Sequence, residues 1–172
     1  MVDTGLPYVI PLSYAYTITE GTLTLFFHSA KEGRKIKILQ ENNAVCFEMS
    51  REGEPVFAEK TPCNSGYYFS SVQGFGSVQF IEDMDEKRSA LTLLVKHQAN
   101  ADVDFTQEQA DSVCVFKVIS TDFTGKMKPR PQFWIEPRKM KHPFFQQNKK
   151  RERPFSLNLS FQVLEKGRSG FE

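Results

Sequence analysis

The stretch Phe26-Phe27-His28-Ser29-Ala30-Lys31-Glu32-Gly33-Arg34-Lys35 opens as an apolar, β-rich run and closes as a polar, cation-bearing helix start. A strand that feeds directly into a helix leaves the first helical N–H groups without partners. Together with the positive end of the helix dipole they favour an anion. Here a hydroxyl (Ser29), a glycine (Gly33) and two cations (Arg34 and Lys35) share one junction, which is the equipment a phosphate group needs. The same residues also fit a plainer reading. In it Ser29 caps the helix, Glu32 completes a capping box three residues on, and Arg34 and Lys35 belong to a solvated helical face. His28, at the strand end, fits either a hydrogen-bonded structural role or a chemical one.

Upstream, residues 6–16 and 22–28 are two β-rich runs joined around Glu20-Gly21, the pattern of a hairpin. Downstream, residues 31–41 predict a short helix, residues 44–49 a strand, and Arg51-Glu52-Gly53-Glu54-Pro55 a turn by its glycine and proline. Residues 67–81 predict one long strand or two, with Gly74 and Gly76 marking a bulge or a sharp bend. Asp83 with Glu86 forms a second cap pattern, and Leu91, Leu94 and Val95 at helical spacing predict an amphipathic helix ending near His97. A polar stretch follows, and residues 113–119 return to strand before Thr124-Gly125-Lys126, where the compact domain is expected to end. The sum predicts a mainly β fold, antiparallel and coiled, with a few helices.

Length and composition narrow the function classes. A chain of 172 residues with 40% hydrophobic content suits one domain with a continuous core. With 22 Lys and Arg against 21 Asp and Glu, the net charge of +1 gives no general field for nucleic acid or acidic membrane, so any anion site must be local. Cys46, Cys63 and Cys114 are odd in number and show no zinc spacing, so reduced and mostly buried thiols are expected, with no metal site. No basic leader with an apolar stretch opens the sequence and no window reaches 18 apolar residues, which predicts a cytoplasmic protein without a membrane span. No Ser/His/Asp set or carboxylate pair stands at recognisable spacing.

Residues 128–172 form a separate region. Pro129, Pro131, Pro137, Pro143 and Pro154 fall here among many charges, as expected for a largely extended tail. Within it Phe155, Leu157, Leu159, Phe161 and Val163 alternate with polar residues, which predicts one half-buried strand over 155–163.

Taken together, Pro7-Tyr8-Val9-Ile10-Pro11-Leu12, Phe27-His28-Ser29-Ala30 with Glu32-Gly33-Arg34-Lys35, and Val45-Cys46-Phe47-Glu48 resemble the pyridoxamine 5'-phosphate oxidase-like family of FMN-binding split β-barrels, in its Nim-type nitroimidazole-resistance branch. Tyr68-Phe69-Ser70-Ser71-Val72-Gln73-Gly74-Phe75-Gly76, Ile81-Glu82-Asp83 with Glu86-Lys87-Arg88, and Thr124-Gly125-Lys126 continue the match in order, over about residues 5 to 127. The resemblance implies a split-barrel domain over 1–127, and a homodimer with FMN in the cleft between subunits. Relatives carry a helix and a first strand before the stretch matched at residues 7–12, so the resemblance also implies a barrel lacking them, an open edge, and a use for the 155–163 segment in covering it.

Carried onto matching positions, His28 and Ser29 approach the flavin or its phosphate with Phe27 beside them, Gly33 permits close approach, and Arg34 and Lys35 bind the phosphate. Pro11, Leu12 and Ser13 run beside the isoalloxazine edge, and Ser71 takes the place of a polar flavin contact. His28 is the first candidate for a proton donor or substrate-positioning group. The implied activity is an FMN-dependent oxidoreductase acting on a small electron-poor molecule such as a nitroaromatic. A non-enzymatic FMN or haem binder, with His28, His97 and His142 as the available axial ligands, and pyridoxamine phosphate oxidation remain as alternatives.

Overall fold

The computed structural model describes residues 1–58 and 60–128. The chain opens with two short strands, β1 (Val2–Asp3) and β2 (Leu6–Pro7), closed by Thr4 and Gly5, both at positive φ. The hairpin expected around Glu20-Gly21 forms between β3 (Ala15–Thr19) and β4 (Thr22–Ser29), antiparallel from Ala15↔Phe26 to Thr19↔Thr22. Glu20 (φ 50) and Gly21 (φ 78) supply the two left-handed residues that a tight two-residue hairpin requires. The β-rich run at residues 6–16 is thus divided. Its start pairs with β1, its end becomes β3, and residues 8–14 between them carry no regular structure.

Helix α1 (Arg34–Glu41) follows, and then β5 (Ala44–Val56), β6 (Gly66–Phe80), α2 (Met84–Ala99), α3 (Gln107–Asp111) and β7 (Cys114–Lys128). One antiparallel five-stranded sheet has the order β3-β4-β7-β6-β5, with β3 and β5 as its edges, and it does not close on itself among the described residues. The register of β4 on β7 runs from Leu23↔Ser120 to Ser29↔Cys114. Residues 51–55, expected as a turn, lie inside β5. Their local turn propensity yields to sheet pairing, and Gly53 allows the Tyr68 carbonyl to approach to 3.1 Å from where a Cβ would stand. Gly74 and Gly76 act likewise: a Cβ on either would meet backbone oxygen at 2.6 Å, from Asp122 and Ile119 respectively. Close strand packing excludes a side chain at both positions.

The core divides between the two faces of the sheet. Leu23, Leu25, Phe116 and Val118 pack with Leu39 of α1 and Val78 on one face. Ala15, Val115 and Ile81 pack with Ala90, Leu91 and Leu94 of α2 and Ala110 of α3 on the other. The alternation of strand side chains sorts these residues, and the spacing 90, 91, 94 turns one stripe of α2 inward. Asp83 caps α2 as its sequence predicts, accepting from Glu86 N–H at 2.8 Å. The polar stretch after α2 contains α3, which the sequence reading left unassigned, opened by a reciprocal capping box between Thr106 and Gln109.

The chain groups into two compact units. Met1–Ser50 with Ser71–Thr124 form the first, which holds both core clusters and helices α1, α2 and α3. The described part of the second is Arg51–Ser70 with residues 125–128, where Lys128 Nζ donates to the Asn64 carbonyl at 3.4 Å and Lys126 lies 6.0 Å from the Phe69 ring centroid. Cys46 and Cys63 are exposed and Cys114 is half-buried, which corrects the expectation of mostly buried thiols. Cys46 falls on the outward phase of β5 with Ala44 and Glu48. The strand expected at 155–163 and the rest of the tail lie outside the described residues.

Candidate functional site

Strand β4 ends at Ser29 and α1 begins only at Arg34, so the junction carries a four-residue connector, 30–33. Ser29 does not cap the helix. Its backbone is held in the sheet opposite Cys114, and its hydroxyl donates to the Ala30 carbonyl at 2.9 Å. Gly33 takes the N-cap position instead, at φ 127, and its carbonyl accepts from the N–H groups of Ile36 (3.1 Å) and Lys37 (3.2 Å). No side chain caps α1 and no acidic residue lies in its first turn. Such an end presents partnerless N–H groups and an uncompensated positive dipole.

The two cations expected here differ in their surroundings. Arg34 reaches back to Asp3, donating from Nε at 2.6 Å with a second guanidinium nitrogen on the same oxygen, and its charged carbon lies 4.6 Å from the Tyr8 ring centroid. That side chain is 66% exposed, so the ion pair is a weak latch worth about 0–1 kcal/mol. Lys35 is half-buried and has no ion pair among the described residues. Lys31 pairs with Asp111 of α3 at 3.2 Å.

Cys114, facing Ser29 across the strand pair, reports the local field. Burial pushes its thiol up, Lys87 pulls it down more strongly than any other cation, Glu82 opposes, and Lys35 and Lys31 add smaller downward pulls. Three lysines, from the connector, α1 and α2, thus act on Cys114 at the end of the β4–β7 pairing.

Phe27 is half-buried and stacks on Phe116 at 5.4 Å, and Leu12 packs into the same cluster. His28 is exposed, as are Pro11 and Ser13. The structure thus brings Leu12, Phe27, His28, Ser29, Gly33, Arg34 and Lys35 into one region. Ser71 is half-buried in β6, and no contact of its side chain joins it to the junction among the described residues. Sequence reasoning missed Asp3, whose pairing with Arg34 joins β1 to the start of α1 and carries no local signal. It also passed over Lys87, whose position four residues before Leu91 on the inward stripe of α2 was a readable sign.

His97 sits apart from the junction, between Tyr14 (5.5 Å) and Tyr16 (5.2 Å), with both ring nitrogens enclosed and without a hydrogen-bond partner among the described residues. Sealed in this way, it is a poor axial ligand, and His28 is the accessible described histidine. No cluster of three His, Cys, Asp or Glu side chains suited to a metal occurs among the described residues. No described helix is long and apolar enough to cross a membrane.

The sequence profile of the pyridoxamine 5'-phosphate oxidase family matches residues 1–127, and the chain belongs to that family. Among solved structures, a candidate 5-nitroimidazole antibiotic resistance protein from Bacteroides thetaiotaomicron is 36% identical, covering 70% of this chain and 69% of that one at a TM-score of 0.60. A flavocytochrome from Azotobacter vinelandii aligns at 22% identity over 78% of this chain and 62% of its own, with a TM-score of 0.59. A FAD- and heme-binding protein from Mycobacterium smegmatis aligns at 17% identity over 80% of this chain and 65% of its own, with a TM-score of 0.56. The chain spans just under two thirds of these last two, which share its fold. The mainly β split-barrel class expected from the sequence is therefore its fold class. No match was found among curated proteins.

Proposed function

We propose that this protein binds FMN at the β4–α1 junction and works as a flavin-dependent oxidoreductase on a small electron-poor substrate, a nitroaromatic ring being the leading class. The observation that carries the reading is the first turn of α1: capped by a glycine, free of acidic residues and flanked by lysines, it is equipped for a phosphate monoester. The 36% identity to a nitroimidazole-resistance candidate supports the substrate class.

In this reading residues 1–127 form the flavin-binding domain, residues 128–172 are an extension, and two copies of the chain form a homodimer with FMN at their interface. Gly33 and the N–H groups after it, with Ser29, Arg34 and Lys35, hold the phosphate; Arg34 does so by leaving its weak pair with Asp3. Pro11, Leu12, Ser13 and Phe27 line the ring system, and Ser71 supplies a polar contact. Bound FMN supplies the electron transfer. His28, exposed at the end of β4, positions the substrate and donates a proton at its imidazole N–H.

The test is the visible spectrum of the purified protein during FMN titration, followed by anaerobic reduction and addition of a nitroimidazole. A flavin spectrum whose reduced form is reoxidised faster by the nitro compound than by buffer is expected, and His28→Ala slows that step while FMN binding persists. A protein that takes up no flavin overturns the proposal. A Soret band in the isolated protein replaces it with haem binding.

A further inference from the structure

We propose that Lys87 is a phosphate-binding residue: its ammonium joins Lys35 and the open N–H groups of α1, at the Ser29–Cys114 end of β4 and β7, in holding a phosphate monoester. The proposal rests on the flavin reading above in taking that monoester to be the cofactor's own phosphate.

Lys87 occupies an unusual place for a lysine. With Ala90, Leu91 and Leu94 it forms the inward stripe of α2, and it is only 8% exposed. Lysine is almost never buried to that degree without a partner. Yet Lys87 has neither an ion pair nor a side-chain hydrogen bond among the described residues. Its neighbours on the same turn are accounted for: Glu86 takes Lys117 at 2.6 Å, and Arg88 donates to the Phe105 carbonyl at 2.6 Å. The fully enclosed, partnerless side-chain atoms among the described residues are the two nitrogens of His97, so the Lys87 stem is buried while its ammonium is not sealed in.

The backbone brings the start of α2 to the end of the sheet where the junction begins. Ile81, just before α2, donates to the Val115 carbonyl at 3.0 Å, which fixes the start of α2 beside the first residues of β7. Cys114 precedes Val115 and faces Ser29, and Ser29 leads through the connector to Gly33. Lys31, within that connector, is already paired with Asp111, and Arg34 with Asp3. Lys35 and Lys87 are the junction's cations with no carboxylate partner among the described residues, so neither has a pair to leave when a dianion arrives.

Lys87→Met keeps the buried apolar stem and removes the ammonium. A purely structural Lys87 and a ligand-binding one therefore predict opposite results, tested with FMN and with riboflavin, which has the same ring system and no phosphate. We expect Lys87→Met and Lys87→Gln to weaken FMN binding by about 10- to 100-fold, as loss of a charge-assisted hydrogen bond does, and to leave riboflavin affinity unchanged. An unchanged FMN-to-riboflavin ratio in either folded variant overturns the proposal. Should the wild type bind neither flavin, the cofactor reading falls and inorganic phosphate decides the site. A rise in Tm with phosphate in the wild type but not in the variants upholds the anion site, and equal responses, or none, reject it.

Discussion

The side-chain amide of Gln98 donates to the carbonyl of Tyr14 at 2.6 Å, joining the last turn of α2 to the residue that leads into β3. Residues 11–13, proposed to flank the flavin ring, immediately precede that anchor. Loss of one such bond is worth about 0.5–1.5 kcal/mol. Gln98→Ala is therefore expected to lower Tm modestly and to change the visible band shape of bound flavin, because the ring's neighbours gain freedom. A variant with normal flavin spectrum and reduced Tm would show that the clamp serves stability alone.

Next to it, His97 sets a pH dependence. Burial lowers its pKa from the usual 6.5, and the Tyr14 backbone, near the ring but outside hydrogen-bonding geometry, offsets part of that effect. Between the lowered native value and 6.5 the unfolded chain binds more protons than the native one, so stability rises with pH across that window. The contribution is complete above pH 6.5 and is lost as pH falls through the native value. His97→Phe, which keeps a ring between Tyr14 and Tyr16, is expected to flatten Tm between pH 7.5 and 5. Parallel profiles for the variant and the wild type would dismiss this assignment.

Lys35 and Arg34 are adjacent, but their removal is expected to have unequal effects. Arg34 is already engaged by Asp3 and Tyr8, whereas Lys35 has no competing carboxylate among the described residues. FMN titration is expected to show a drop of about tenfold for Lys35→Ala and a smaller one for Arg34→Ala. The reverse order would mean that Arg34, once it has left Asp3, is the stronger phosphate ligand.

A methyl group at residue 74 has no room. It would stand 2.6 Å from the Asp122 carbonyl oxygen and 2.7 Å from Phe47 Cζ. Gly74→Ala is expected to destabilise the protein by about 1–3 kcal/mol, read as a lower urea midpoint.

How far the sequence foretold these features depends on where the deciding partner lies. Glu20-Gly21 and Asp83 with Glu86 were legible because turn and cap are settled by residues a few positions apart. Ser29 carried the same local signal as Asp83, but pairing with Cys114 across the sheet held its backbone extended. Residues 51–55 likewise read as a turn until a neighbouring strand was supplied. The box of Thr106 and Gln109 was a local signal that went unread. At the site, motif order located the junction, while the ion pairing of its cations rests on Asp3 and Asp111, distant carboxylates that no spacing rule points to.

The β4–β7 register joins segments about 90 residues apart, whereas β3 and β4 meet through a two-residue turn. The local hairpin forms with little loop-closure entropy to overcome, and β4 receives β7 only after most of the intervening chain has been made and gathered. The pairing that sets Ser29 opposite Cys114 is thus a product of long-range chain closure. A ligand held at that end would therefore report on the completed sheet, where the hairpin alone would not retain it.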